Sequence, residues 1–112
     1  MSDNPNVKVI DALQFEVEVL TSQLPVVLDF FSTECPPCEA LAPKFEGLAD
    51  KFAGRVRFLK IFRQGNKEFA TKLGVSSSPT LLFFKGGKEQ GERLTGEIER
   101  SSIKAQLESL LS

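Results

Sequence analysis

Cys35 and Cys38 flank a Pro36-Pro37 pair where an apolar run gives way to a helical pattern, and no other cysteine is present. The run Val26–Phe31 is short, β-branched and aromatic, as buried strands are. Residues 39–52 put Leu41, Phe45, Leu48 and Phe52 at spacings of four, three and four, which is one face of a helix. A strand running through a tight turn into a helix points to an α/β architecture. A cysteine at that junction meets the unpaired N–H groups and positive end of the helix, which favour thiolate over thiol. A second cysteine one turn on can close a disulfide with it. Pro36 fits a first-turn position, where its missing N–H costs little. Pro43 lies inside the helical pattern and should kink it.

The rest of the chain continues this alternation. Val7–Ile10 reads as an edge strand, and residues 11–15 lead into a short helix ending near Gln23. Residues 56–62 form the next strand after Gly54, and 66–73 a short helix stopped by Gly74. Residues 80–84 are a further buried strand, Gly86-Gly87 a hairpin turn and residues 88–94 the returning strand. A last helix over residues 99–111 groups Ile103, Leu107, Leu110 and Leu111. The order predicts a central mixed β-sheet with helices on both faces, as one domain over residues 1–112.

Composition removes several classes of function. A net charge of −1 offers no electrostatic footprint for nucleic acid or an anionic membrane. No apolar stretch approaches the roughly 20 residues of a spanning helix. Residues 1–6 lack the basic and apolar regions of a secretory signal, so a cytoplasmic location is expected. Two cysteines in such a compartment are seldom a structural staple. Without histidine there is no Cys–His nucleophile pair. Two cysteines supply only half a zinc site, which sharing between subunits or added carboxylates would have to complete. Neither a GxGxxG nor a phosphate loop is present, so no cofactor is expected and electrons must arrive by thiol exchange.

Four positions in register with the cysteines make the chain resemble the thioredoxin family over about residues 7–111. Asp29 stands six residues before Cys35, where the family carries a buried carboxylate. Pro43 occupies the family's helix-kink position, and Lys60 that of a lysine beside the carboxylate. Ser78-Pro79-Thr80 matches the family's X-Pro-Thr, in which the proline is cis. The resemblance implies a thioredoxin fold and a disulfide reductase. Cys35, nearer the helix start and more exposed, would attack a client protein's disulfide. Cys38, more buried, would resolve the mixed disulfide, with Asp29 accepting its proton and Lys60 limiting how far the carboxyl pKa rises. Glu34, Pro36, Pro37, Ser78 and Pro79 would line the client site, the Ser78 backbone pairing with an extended client segment. Partners would be a disulfide-containing client and an upstream thiol reductase, and the protein a monomer.

Departures from the family are equally specific. Glu34 and Phe31 stand where the family has tryptophans, and Pro36 where it has glycine. With Ser76, Ser77 and Ser78 opposite, Glu34 should make the client groove hydrophilic and acidic. Glu34 also disfavours a thiolate beside it, and Pro36 removes a donor. Cys35 should therefore be less acidic than in the usual motif, and the pair a reductant. The alternatives are a disulfide oxidase or isomerase, and a binding module whose cysteines no longer cycle.

Overall fold

The computed structural model describes residues 3–112. Its five strands are β1 (Val7–Ile10), β2 (Val26–Phe31), β3 (Arg57–Phe62), β4 (Thr80–Lys85) and β5 (Lys88–Thr95), and its helices are α1 (Pro36–Lys51), α2 (Lys67–Lys72) and α3 (Arg100–Leu111). The sheet order is β1-β3-β2-β4-β5. β3 pairs in parallel with both β1 and β2, and β4 is antiparallel to β2 and β5. The expected mixed sheet is present.

Burial on both faces explains why β2 and β4 read as unbroken apolar runs. On one face, Val27, Phe58, Leu81 and Phe83 meet Leu41, Phe45 and Leu48 of α1 and Ile103, Leu107 and Leu110 of α3. On the other, Leu28, Phe30, Leu59, Ile61, Leu82 and Phe84 meet Val19 and Ala70, with Phe15 and Phe69 packed against them. Leu111, expected with the buried face of α3, is 38% exposed, because it ends the helix beyond the last sheet contact. Gly86 and Gly87 both take positive φ, +61° and +79°, as a two-residue hairpin turn of the I′ kind requires.

In place of a single short helix ending near Gln23 there are two separate turns. Ala12–Gln14 is a 3-10 turn closed by a reciprocal capping box between Asp11 and Gln14. Glu16–Leu20 is a π turn whose Thr21 N–H reaches back to the Glu16 carbonyl at 3.1 Å. Tertiary contacts hold this wider winding. Phe15 packs edge-on to Phe69 and Phe84, and Arg57 grips the Glu18 carbonyl at 2.6 Å and its carboxylate.

Candidate active site

α1 begins at Pro36, the first-turn position expected for that proline, so Cys38 lies in its first turn and Cys35 caps it in an extended conformation. Pro36 and Pro37 have no N–H, which leaves the Cys38 amide as the first helical donor. It donates to Cys35 Sγ at 3.3 Å. The two cysteines are joined as a disulfide, with their Cα atoms 5.2 Å apart. Among the described residues no third His, Cys, Asp or Glu groups with them as a metal site would need.

A cleft of about 530 Å³ opens over Cys35, lined by residues 32–37 together with Arg63, Gln64 and Ser76–Ser78. Cys35 lines it and Cys38 does not. As whole residues, however, the expected order of exposure is reversed. Cys35 is only 9% exposed, whereas Cys38 is half-buried. The loop before β4 folds over Cys35 and brings the Ser78 carbonyl oxygen to 3.5 Å from its sulfur. A disulfide sulfur has no proton to donate, so this is a packing contact. The Ser78–Pro79 peptide is cis. Pro79 is itself buried and lines no part of the cleft, so it positions Ser78 from behind.

Asp29 lies on β2, the central strand leading to the cysteines, and is 2% exposed. Its side chain shares the sheet face of Val27, towards α1. Oδ1 has no hydrogen-bond partner. Burial pushes its carboxyl up from 3.8 to about 7, against the pull of the Lys60 charge. Lys60 stands directly beside Asp29 in the parallel β2–β3 register. Its ammonium makes no direct ion pair with Asp29; Nζ sits 4.7 Å above the centre of the Phe31 ring. Phe31, at the upstream tryptophan position of the resemblance, thus holds the cation at a distance that moderates the carboxyl without neutralising it.

Glu34 carries a feature that the sequence concealed. Its φ is +52°, the left-handed region, and it is the one non-glycine there among the described residues. Glu34, Pro36, Pro37 and Ser78 all line the cleft as expected. Arg63 lines the same cleft as Glu34, so the groove carries both signs of charge rather than the acidic character expected. Phe31 pairs with Phe62, so the chain positions that come next, Ser32 and Arg63, leave the sheet side by side. Ser32 Oγ and Arg63 Nε both bond Ser78 Oγ, at 2.6 and 2.7 Å. Gln64 Oε1 accepts from the Thr33 N–H at 2.9 Å and from its hydroxyl at 3.2 Å. Arg63, Gln64 and Ser32 are site residues that sequence reasoning missed. The available signal was their place just past the ends of two adjacent parallel strands.

Known proteins match this geometry. The family model described as Thioredoxin covers residues 6–109. The chain is 34% identical to the thioredoxin of Synechocystis sp. over 111 residues, which span 99% of the chain and all of that protein. It is 36% identical to the thioredoxin of Acidithiobacillus ferridurans, over 87% of the chain and 89% of that protein. A chloroplastic M-type thioredoxin of Pisum sativum is 31% identical over 94% of the chain, covering 60% of that protein. The crystal structure of Malassezia sympodialis thioredoxin superposes with a TM-score of 0.82 at 31% identity, covering 95% of the chain and 91% of that one.

Proposed function

The chain belongs to the thioredoxin family and is a thiol–disulfide oxidoreductase with disulfide reductase activity, and on that premise we propose that Cys35 attacks, Cys38 resolves and Asp29 moves the proton. One observation carries this assignment: Cys35, and not Cys38, lines the cleft, and its Sγ accepts the first N–H of α1. That donor and the positive helix end favour a thiolate at Cys35.

In the reduced protein the Cys35 thiolate attacks one sulfur of a client disulfide, and the other client sulfur leaves as a thiolate. The Cys38 thiol then gives its proton to the Asp29 carboxylate and attacks Cys35 Sγ. The Cys35–Cys38 bond forms, the mixed disulfide breaks and the second client sulfur departs. Two electrons have passed to the client. A carboxyl titrating near 7 is suited to this relay, since acid and base forms coexist at neutral pH. Lys60 keeps that value from rising further.

The client is a disulfide-containing protein whose extended segment meets the Ser78 backbone; among the described residues the Ser78 N–H makes no hydrogen bond within the chain. A separate thiol reductase regenerates the dithiol, in a reducing compartment for which the cytoplasm is our reading. Among the described residues no helix is long and apolar enough to cross a membrane. A monomer fits the edges of the sheet. Exposed Lys88, Glu89, Glu92 and Arg93 on β5 oppose edge-to-edge pairing.

The test is trapping with a disulfide peptide. The Cys38→Ser protein should accumulate a covalent adduct through Cys35, and Cys35→Ser should form none. An adduct through Cys38 forming as fast in Cys35→Ser would reverse the assignment.

A further inference from the structure

We infer that Arg63 selects the client: its guanidinium takes the carboxylate of an acidic side chain flanking the client's disulfide. This rests on the reductase reading and adds to it the chemistry of the substrate. Arg63 is half-buried at the cleft wall, and Ser78 Oγ, which also bonds Ser32, fixes its Nε. Pinned at Nε, the guanidinium keeps Nη1 and Nη2 for a ligand. Among the described residues Arg63 makes no ion pair: the recorded pairs involve Lys8, Arg57, Arg93 and Lys104. A planar, permanently charged fork that has been oriented in advance suits bidentate recognition of a carboxylate.

The surroundings reinforce the sign. Arg63 also lines a neighbouring depression of about 460 Å³, together with Lys67, Thr71, Gly74 and Ser76. Arg63 and Ser76 line both depressions, so Arg63 and Lys67 place positive charge beside the Ser76–Ser78 loop. Glu34 is the carboxylate lining the Cys35 cleft, and it belongs to the turn before α1 rather than to the Ser76–Ser78 loop. A client strand laid along Ser78 with its sulfur at Cys35 therefore meets positive charge on the loop side. An acidic residue beside the client cysteine is attracted there, and a lysine is repelled.

The experiment compares three disulfide peptides that differ only beside the cysteine, carrying Asp, Ser or Lys, with thiol release followed under an external reductant. For the wild type at low salt, kcat/KM for the Asp peptide should exceed that for the Lys peptide about fivefold, the scale of one partly exposed ion pair. Arg63→Glu should invert the order, and Arg63→Lys should keep its direction with a smaller ratio. About 1 M salt should bring the wild-type ratio towards one. An unchanged ratio in Arg63→Glu would overturn the proposal. Should that variant not fold, a wild-type ratio at or below one, or one indifferent to salt, overturns it equally. If the Ser peptide is reduced and the ratio is one, the selectivity alone fails. If no peptide is reduced, the reductase reading fails and the proposal falls with it.

Discussion

Replacing Asp29 by Asn removes a buried acid and keeps its shape, and the cost of that acid can be worked out from its environment. Burial raises the Asp29 carboxyl pKa from 3.8 to about 7. Well below 3.8 both folded and unfolded chains carry the proton, so this group adds no pH dependence. Between 3.8 and about 7 the unfolded chain releases it while the folded protein holds it, so rising pH favours unfolding. Above about 7 both states are ionised and the penalty is complete and constant. At about 1.36 kcal/mol per pKa unit, a change from 3.8 to about 7 amounts to roughly 4 kcal/mol. That is large beside the ~5–15 kcal/mol of a typical domain. Oxidised wild type and Asp29→Asn should be unfolded in urea from about pH 3 to about pH 8.5. Far-UV circular dichroism is the readout, since the chain has no Trp or Tyr. Other titrating groups cancel in the difference between the two proteins. The Asn variant should gain roughly 4 kcal/mol on wild type across that range, mostly between pH 4 and 7. A gain below about 1 kcal/mol would refute the claim that desolvation governs Asp29.

The same variant should lose the inflection near pH 7 in the rate at which the mixed disulfide resolves, measured by quenched single turnover. Glu34→Asn should stabilise the protein by about 1 kcal/mol in urea, because Asn tolerates the left-handed φ of +52° that Glu strains to adopt. Glu34→Gln should lower the Cys35 pKa read from the pH profile of alkylation; no fall would remove the charge argument. Two glycines should respond oppositely to alanine. In exposed Gly47 on α1 a new Cβ meets nothing within 4 Å, so helix propensity should raise stability by about 1 kcal/mol. In Gly87, with φ +79°, the Cβ would sit 2.8 Å from the Leu20 carbonyl oxygen, and the melting temperature should fall.

What the sequence revealed and what it hid divide along physical lines. Strands buried on both faces write continuous apolar runs, so β2 and β4 were legible, as was the anomaly of Asp29 inside one of them. The Gly86-Gly87 pair announced its turn because few other residues accept positive φ twice in succession. The π turn was hidden because the Arg57–Glu18 contact that holds it joins residues 39 apart. Arg63 was hidden for a related reason: alone it is an ordinary polar residue past a strand, and only the β2–β3 register sets it against Ser32 and Ser78. The order of cysteine exposure depended on a loop 43 residues downstream of Cys35. Local chemistry was readable, and juxtaposition was not.

The sheet order has a consequence for the protein's own synthesis. β2 is flanked by β3 and β4, so the strand that carries Asp29 is not enclosed until residues 80–84 have been made. Both cysteines leave the ribosome well before Ser76–Ser78, the wall that completes their cleft. A half-made chain thus displays a dithiol with a hydrated aspartate and no groove to seat another polypeptide. The groove that seats a client is completed only after the dithiol and the helix that carries it have been made.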